Sequence, residues 1–362
     1  MIAIGIMSGT SADGMDAAAI ELGEGARPRI TLLAHVARDH PDGLRYRILA
    51  AGSGAPLSAH DIAILHVDLG DAYASVAHQV VSAIGRAPDC IALHGQTIAH
   101  FPAEHATFQI GDASRVAVEI GVPVIDDFRS ADVALGGQGA PLVPFADHLL
   151  FADGTPRAVL NIGGIANVTL LPTERALDVT AFDTGPGNMV IDQLARKSGN
   201  ELDRDGAAAA RGQVDERALA NALAHPYFAR RGPKSTGREE FGAPFTQRLL
   251  ADVKAAGGSL DDAIATATAL TVESIGRALD GGPWRELIVA GGGARNATLV
   301  ERLRARTRLP VRLTDELGIP SEAREAVAFA ILGAYRMRGE PNTLPRCTGA
   351  RRAVSAGAIH RP

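Results

Sequence analysis

Three turns in this chain are built almost wholly from glycine and small polar residues, and each follows an apolar strand-like run. The first is Ile4-Gly5-Ile6-Met7-Ser8-Gly9-Thr10-Ser11-Ala12-Asp13-Gly14-Met15-Asp16, with a second strand over 17–22. The second, in the other half of the chain, is Val159-Leu160-Asn161-Ile162-Gly163-Gly164-Ile165-Ala166, which turns into Asn167-Val168-Thr169-Leu170-Leu171. Small residues let backbone N–H groups approach phosphate oxygens, and hydroxyls add donors without bulk. Either hairpin alone is also an ordinary tight turn; the pair, one in each half, is what a duplicated phosphate clamp requires. The third turn joins a buried strand over 287–290 through Gly291-Gly292-Gly293-Ala294-Arg295-Asn296 to a run with helical apolar spacing over 297–304. A strand opening through glycines onto a helix N-terminus suits an anion or a flat nucleotide face. No Gly-Lys-Ser/Thr follows and no G-x-G-x-x-G occurs, so this is neither a Walker loop nor a dinucleotide fingerprint.

Other polar groups cluster just past the carboxyl ends of strands, where ligands bind in open α/β sheets. Asp183 follows a strand over 179–182 and precedes Thr184-Gly185-Pro186-Gly187-Asn188. A carboxylate projecting there is placed to act as a general base, although a turn-forming aspartate has the same surroundings. His94-Gly95-Gln96-Thr97 ends a strand over 90–93, and Asp126-Asp127-Phe128-Arg129 ends one over 122–125. Positioning them requires a third strand over 30–36, an amphipathic helix over 62–84, a helix over 189–197 and a helical run over 325–330. The glycine-rich stretch 131–144 reads as the crossing between two domains, since glycines absorb hinge rotations. That divides the chain into 1–130 plus about 335–362, carrying the first hairpin, and 131–334, carrying the second hairpin, Asp183 and the Gly-Gly-Gly turn. The tail after Arg338, rich in Gly, Pro and Arg, reads as a loop docked back on the first domain.

Composition agrees with two globular domains. The chain has 362 residues, 46% hydrophobic and 21% charged, enough for each domain to bury its own core. A net charge of −5 with dispersed arginines argues against nucleic acid as a partner. No signal peptide and no membrane-spanning run are read, which implies a cytoplasmic protein. Two distant cysteines, Cys90 and Cys347, suggest neither a disulfide framework nor a zinc site. The eleven histidines lack metal-binding spacing and read as surface or packing residues.

Two phosphate hairpins and a late Gly-Gly-Gly turn resemble the sugar kinase, Hsp70 and actin superfamily. That likeness implies an α/β fold of two duplicated ribonuclease H-like (actin/sugar kinase-type) domains with an ATP cleft between them. More specifically, the chain resembles the anhydro-N-acetylmuramic acid kinases over nearly its whole length. The segments that carry the likeness are 7–14, 94–97, 127–129, 136–144, 161–167, 182–188, Pro233-Lys234-Ser235-Thr236-Gly237-Arg238-Glu239, 291–293 and Thr348-Gly349-Ala350. One small departure is Ala12, where the family often has Leu.

The resemblance implies that ATP, Mg2+ and water convert 1,6-anhydro-N-acetylmuramic acid to N-acetylmuramic acid 6-phosphate and ADP, in the recycling of cell-wall sugars by a homodimer. It makes Asp183 the catalytic base, acting on a water that attacks C1, because O6 is tied up in the anhydro bridge. The ATP contacts implied are Gly9, Thr10, Ser11, Ala12, Asp13, Gly14, Met15, Asp16, Gly163, Gly164, Gly291, Gly292, Gly293 and Asn296. The sugar contacts implied are Gln96, Thr97, Arg129 and Glu325. Asp13 and Asp16 have two equal readings, as carboxylates reaching Mg2+ directly or through water and as turn caps, so no metal ligand is assigned. Arg129 either pairs with the lactyl carboxylate or forms a salt bridge to Asp126 or Asp127. Glu325 either holds the sugar or Arg129, or is a helix-terminal acid favoured by the macrodipole. Residues 234–239 carry no chemical role that can be read from sequence. The alternatives are a conventional sugar or acetate kinase acting on a free hydroxyl, an Hsp70-like or regulatory binder, which would need an appended domain, and a glycosidase, which would need a second catalytic carboxylate.

Overall fold

The computed structural model spans Met1–Pro362 and describes every residue except Thr10, Ser11, Asp13, Ala26, Ala55, Arg231 and Pro233. Chain contacts divide it into two compact units, Met1–Leu150 with Glu322–Pro362, and Phe151–Ser321.

In the first unit the strands are β1 (Ile2–Met7), β2 (Met15–Leu22), β3 (Ile30–Arg38), β4 (Cys90–Leu93), the hairpin β5 (Gln96–Phe101) with β6 (Ala106–Ile110), and β7 (Val124–Asp126). β3, β2 and β1 run antiparallel to their neighbours, and β4 and β7 continue the sheet in parallel from β1. Because successive side chains alternate between faces, Ile4 and Ile6 point to one side of β1 and Gly5 to the other. The Ile side joins a core with helix Ala59–Ile84, whose Leu65, Leu69, Tyr73, Val76 and Val80 recur at helical spacing. That helix begins earlier than its apolar spacing predicts, because Ser58 and Asp61 form a reciprocal capping box. On the Gly5 side, helix Arg324–Met337 lies directly on the strand. A Cβ at Gly5 would collide with the carbonyl oxygen of Ala326 and the amide of Ala330, so a bare backbone sets this approach.

The second unit repeats the plan. Its strands are β8 (Arg157–Ile162), β9 (Ile165–Leu171), β10 (Thr180–Pro186), β11 (Glu286–Ala290) and β12 (Val311–Leu313). The order β10-β9-β8-β11-β12 matches β3-β2-β1-β4-β7, with the same antiparallel and parallel pairings. Its core joins Leu160, Ile162 and Val168 of the sheet to Leu249 and Val253 of helix Ala243–Ala255, Leu270 and Ile275 of helix Leu260–Leu279, and Leu299 and Leu303 of helix Ala297–Thr307.

Two segments differ from the sequence reading. The tail is more than a docked loop: Ala358–His360 forms β13, antiparallel to β7, and closes the edge of the first sheet. The glycine-rich stretch lies inside the first unit rather than at a crossing. Buried Asp132 accepts from the Gly139 amide at 2.8 Å and the Thr348 hydroxyl at 2.7 Å, and the Gln138 amide donates to the Thr348 carbonyl at 2.7 Å. Among the described residues no helix is long and apolar enough to cross a membrane.

Gly5→Ala should therefore lower stability by at least about 2 kcal/mol, as overpacking against backbone does. Gly52→Ala, at an exposed helix end where a Cβ meets nothing, should change it little. Urea unfolding of both variants checks this.

Candidate active site

In the second unit three turns converge. The amides of Gly187 and Met189 donate to the Gly164 carbonyl at 2.9 and 3.1 Å, and the Asn188 amide donates to the Gly163 carbonyl at 2.8 Å. The space around each glycine separates those the fold needs from those it does not. A Cβ at Gly187 would strike the Gly163 carbonyl, and one at Gly293 would strike Ile162. Gly291 has φ +83 and sits against Asn161 and Ile162. Gly163, Gly164 and Gly292, by contrast, have only ordinary van der Waals neighbours, and none has a positive φ. Asn296 caps helix Ala297–Thr307, its Oδ1 accepting from the Leu299 amide.

Asp183 lies on β10 just before a bulge in its pairing with β9, where an extra residue re-aims the strand. The Thr236 amide donates to its Oδ2 at 2.9 Å, while Oδ1 accepts from no described donor. Burial pushes this carboxyl up to about 6, with Glu239 adding to the rise and the Thr236 amide and Lys234 opposing it.

The first unit holds a second polar cluster. The Ser8 hydroxyl donates to Gln96 Oε1 at 2.6 Å and accepts from His40 Nε2 at 3.1 Å, and Gln96 Nε2 donates to the Gly9 carbonyl at 3.2 Å. Gln96, fully buried, is thus a strut of the first glycine turn. His94 is likewise more than a packing residue: its Nδ1–H donates to the Ser8 carbonyl at 3.1 Å, and its Nε2 accepts from Arg129 at 2.7 Å. Burial and the Arg129 charge push His94 down to about 3, which keeps it neutral and able to accept. Only the structure reveals this role, since the histidine's partners are remote in sequence.

Arg129 also donates to the Gly139 carbonyl at 2.6 Å, yet its buried Nε has no partner. Neither aspartate read as its ion-pair partner takes it: Asp126 pairs with His360 at 2.9 Å, and Asp127 caps the Ser130 amide. Burial pulls the guanidinium down to about 10, opposed by Glu325 and Asp132. Glu325, in the first turn of helix Arg324–Met337, is reached by solvent but crowded by protein atoms; desolvation raises its pKa, Arg324 and Arg129 oppose this, and Asp16 adds to it. Thr97 is half-buried and accepts from Gln109 at 3.3 Å. Ala12 and Met15 are buried in the core, and a Cβ at Gly14 would strike the Arg38 carbonyl, so these three contribute backbone rather than side chain to the first turn. Asp16 pairs with His35 at 3.0 Å and is partly exposed. Thr10, Ser11 and Asp13 lie outside the described residues. Among the described residues no group of three or more acidic, His or Cys side chains is poised to hold a metal.

The family profile of anhydro-N-acetylmuramic acid kinases matches residues 1–362. The chain is 43% identical to the anhydro-N-acetylmuramic acid kinase of Gloeobacter violaceus, over 99% of this chain and 98% of that one. It is 42% identical to that of Salinibacter ruber, over 99% and 96%. The chain belongs to the anhydro-N-acetylmuramic acid kinase family. As a member it is an ATP-dependent phosphotransferase of the actin/sugar kinase fold. Among solved structures, component A of the (R)-2-hydroxyglutaryl-CoA dehydratase of Acidaminococcus fermentans shares the fold, with a TM-score of 0.50 at 11% identity over 91% of this chain and 96% of that one.

For this family member the raised Asp183 carboxyl has a measurable cost. Its folded value of about 6 lies above the ordinary 3.8, so its ionisation opposes folding. The associated stability is fully present below the ordinary value and lost as pH rises through about 6. Asp183→Asn should therefore unfold at a higher temperature than the parent above that pH and match it in strong acid, as read by thermal unfolding across pH.

Proposed function

We propose that this chain uses ATP and water to open 1,6-anhydro-N-acetylmuramic acid and phosphorylate its O6, giving N-acetylmuramic acid 6-phosphate and ADP in the cytoplasmic recycling of cell-wall sugars. The observation that carries the mechanism is Asp183: one carboxylate oxygen is held by the Thr236 amide, the other is uncommitted, and the group's affinity for a proton is raised to about 6. Asp183 takes a proton from a water whose oxygen forms a bond to C1. The C1–O6 bond breaks, and the O6 electron pair attacks the γ-phosphorus as the bond from that phosphorus to the β,γ-bridging oxygen breaks and ADP leaves. The phosphoryl group occupies the leaving oxygen in place of a proton, so one carboxylate suffices where an inverting glycosidase needs two.

Gly163, Gly164 and Gly292, with space around them that the fold does not use, suit approach by ATP phosphates; the turn 9–16, Gly291, Gly293 and Asn296 complete the proposed nucleotide contacts. Mg2+ is compatible with this donor set because it is usually held by one or two carboxylates plus phosphates and water rather than by a protein cage. Asp16, partly exposed, would hold it directly or through water, with Asp13 as the second carboxylate. When bound, Mg2+ neutralises charge on the transferring phosphoryl group. Arg129, half-buried with a buried, unpartnered Nε, suits the lactyl carboxylate, and Thr97 and Glu325 suit the sugar's hydroxyl and amide groups, with buried Gln96 bracing the first glycine turn. Assembly as a homodimer is part of the same reading and is tested by light scattering.

Gly164→Ala should leave the unfolding midpoint nearly unchanged while weakening ATP binding more than sugar binding. Gly293→Ala, which meets Ile162, should lose stability first. Calorimetric titration alongside thermal unfolding separates the two.

Asp183→Asn should keep nucleotide affinity and lose at least about a hundredfold in turnover, the lower end of general-base loss. In 18O-labelled water each turnover of the parent enzyme should place one label on the C1 hydroxyl and none in the phosphoryl group, with strict dependence on ATP. Label in inorganic phosphate would indicate an ATPase, and no label at all a conventional kinase.

A further inference from the structure

Residues 234–239, which share a family signature but suggest no chemistry in sequence, lie along the open edge of β10, the outermost strand of its sheet. The Asp183 amide donates to the Lys234 carbonyl at 2.9 Å, and the Thr236 amide donates back to Asp183 Oδ2 at 2.9 Å. Asp183's own carbonyl accepts from the hydroxyl of fully buried Tyr227 at 2.6 Å. That tyrosine is fixed in turn, edge-on to Phe228 and Phe241, and the Lys234 ammonium donates to its carbonyl at 3.2 Å while lying 4.2 Å from its ring centroid. The Thr236 hydroxyl donates to Glu240 at 3.2 Å, and Glu240 pairs with Arg230 at 2.7 Å. Every polar atom of Asp183 except Oδ1 is thereby held from this segment or from Tyr227.

We propose that residues 234–239, together with Tyr227, are the positioning element of the base: they clamp Asp183 at its amide, carbonyl and Oδ2, aim Oδ1, and set charges of opposite sign, Lys234 and Glu239, beside it. This rests on Asp183 being the base. The charges that face Asp183 have opposite effects, Lys234 lowering its affinity for a proton and exposed Glu239 raising it. Arg230 and Glu240 act on Lys234 and Tyr227, the former lowering and the latter raising their proton affinities.

The test is the acid limb of kcat against pH, at saturating ATP and sugar, for four variants compared with the parent. ATP itself titrates in this range, so the quantity read is the difference between variants. Lys234→Met should move the limb to higher pH and Glu239→Gln to lower pH, with Lys234→Arg returning it toward the parent position. Tyr227→Phe should lower kcat by about tenfold through misaim of the base, with KM for ATP unchanged. If Lys234→Met does not fold, Glu239→Gln at an exposed position still reports the sign. For the Lys234 and Glu239 variants, limbs superimposed on the parent's or a uniform loss without a shift would overturn the positioning role, and for Tyr227→Phe a kcat equal to the parent's would do so. If Asp183→Asn retains turnover, the base itself is wrong; if it collapses while the other profiles stay unmoved, only the positioning element is.

Discussion

The second unit depends on a lock between two loops: the amides of 187–189 donating into the carbonyls of Gly163 and Gly164. With those carbonyls committed, the β8–β9 turn and the segment following the Asp183 strand behave as one body. Gly187 and Gly293 are bare because this body is close-packed backbone, and Gly163, Gly164 and Gly292 are bare although the packing does not demand it. An alanine costs something different at each kind of position, and sequence shows only that all are glycine.

Each unit holds ionisable groups away from their ordinary comfort. Asp183 is raised by burial, Arg129 is lowered by burial and has an unpartnered Nε, and Glu325 is raised by desolvation despite two nearby arginines. Burying charge without full pairing is costly, and polar groups left uncommitted inside a fold are where ligands do the satisfying. The contrast is the neighbouring pair Arg324 and Asp147, buried and mutually bonded at 2.6 Å, which anchors the first turn of the helix carrying Glu325. There the charge is neutralised within the protein, and the group is structural.

The tail shows how distant segments complete the first unit. β13 seals the edge of β7, His360 takes Asp126, and Thr348 joins Asp132 in pinning the glycine-rich stretch 136–139. Removing Asp126 from contention leaves Arg129 to His94 and the Gly139 carbonyl. A residue near the end of the chain thus decides which ion pairs are available near its middle.

Much was legible in the residues alone. Apolar runs such as 90–93 and 287–290 dictate buried strands, the apolar spacing over 62–84 dictates an amphipathic helix, and the glycine turns together with the Asp183 strand end declare a duplicated α/β plan. These are local signals, carried by period and by backbone permissiveness. Tertiary structure alone decided which glycines are needed by packing, that His94 is a neutral acceptor for Arg129, that the tail is a strand, and that 234–239 grips Asp183. Each of those facts is a contact between segments remote along the chain, often through backbone N–H and C=O groups that every residue shares. Nothing in the side-chain sequence distinguishes the amide of Thr236 from any other; only the folded path brings it to a carboxylate.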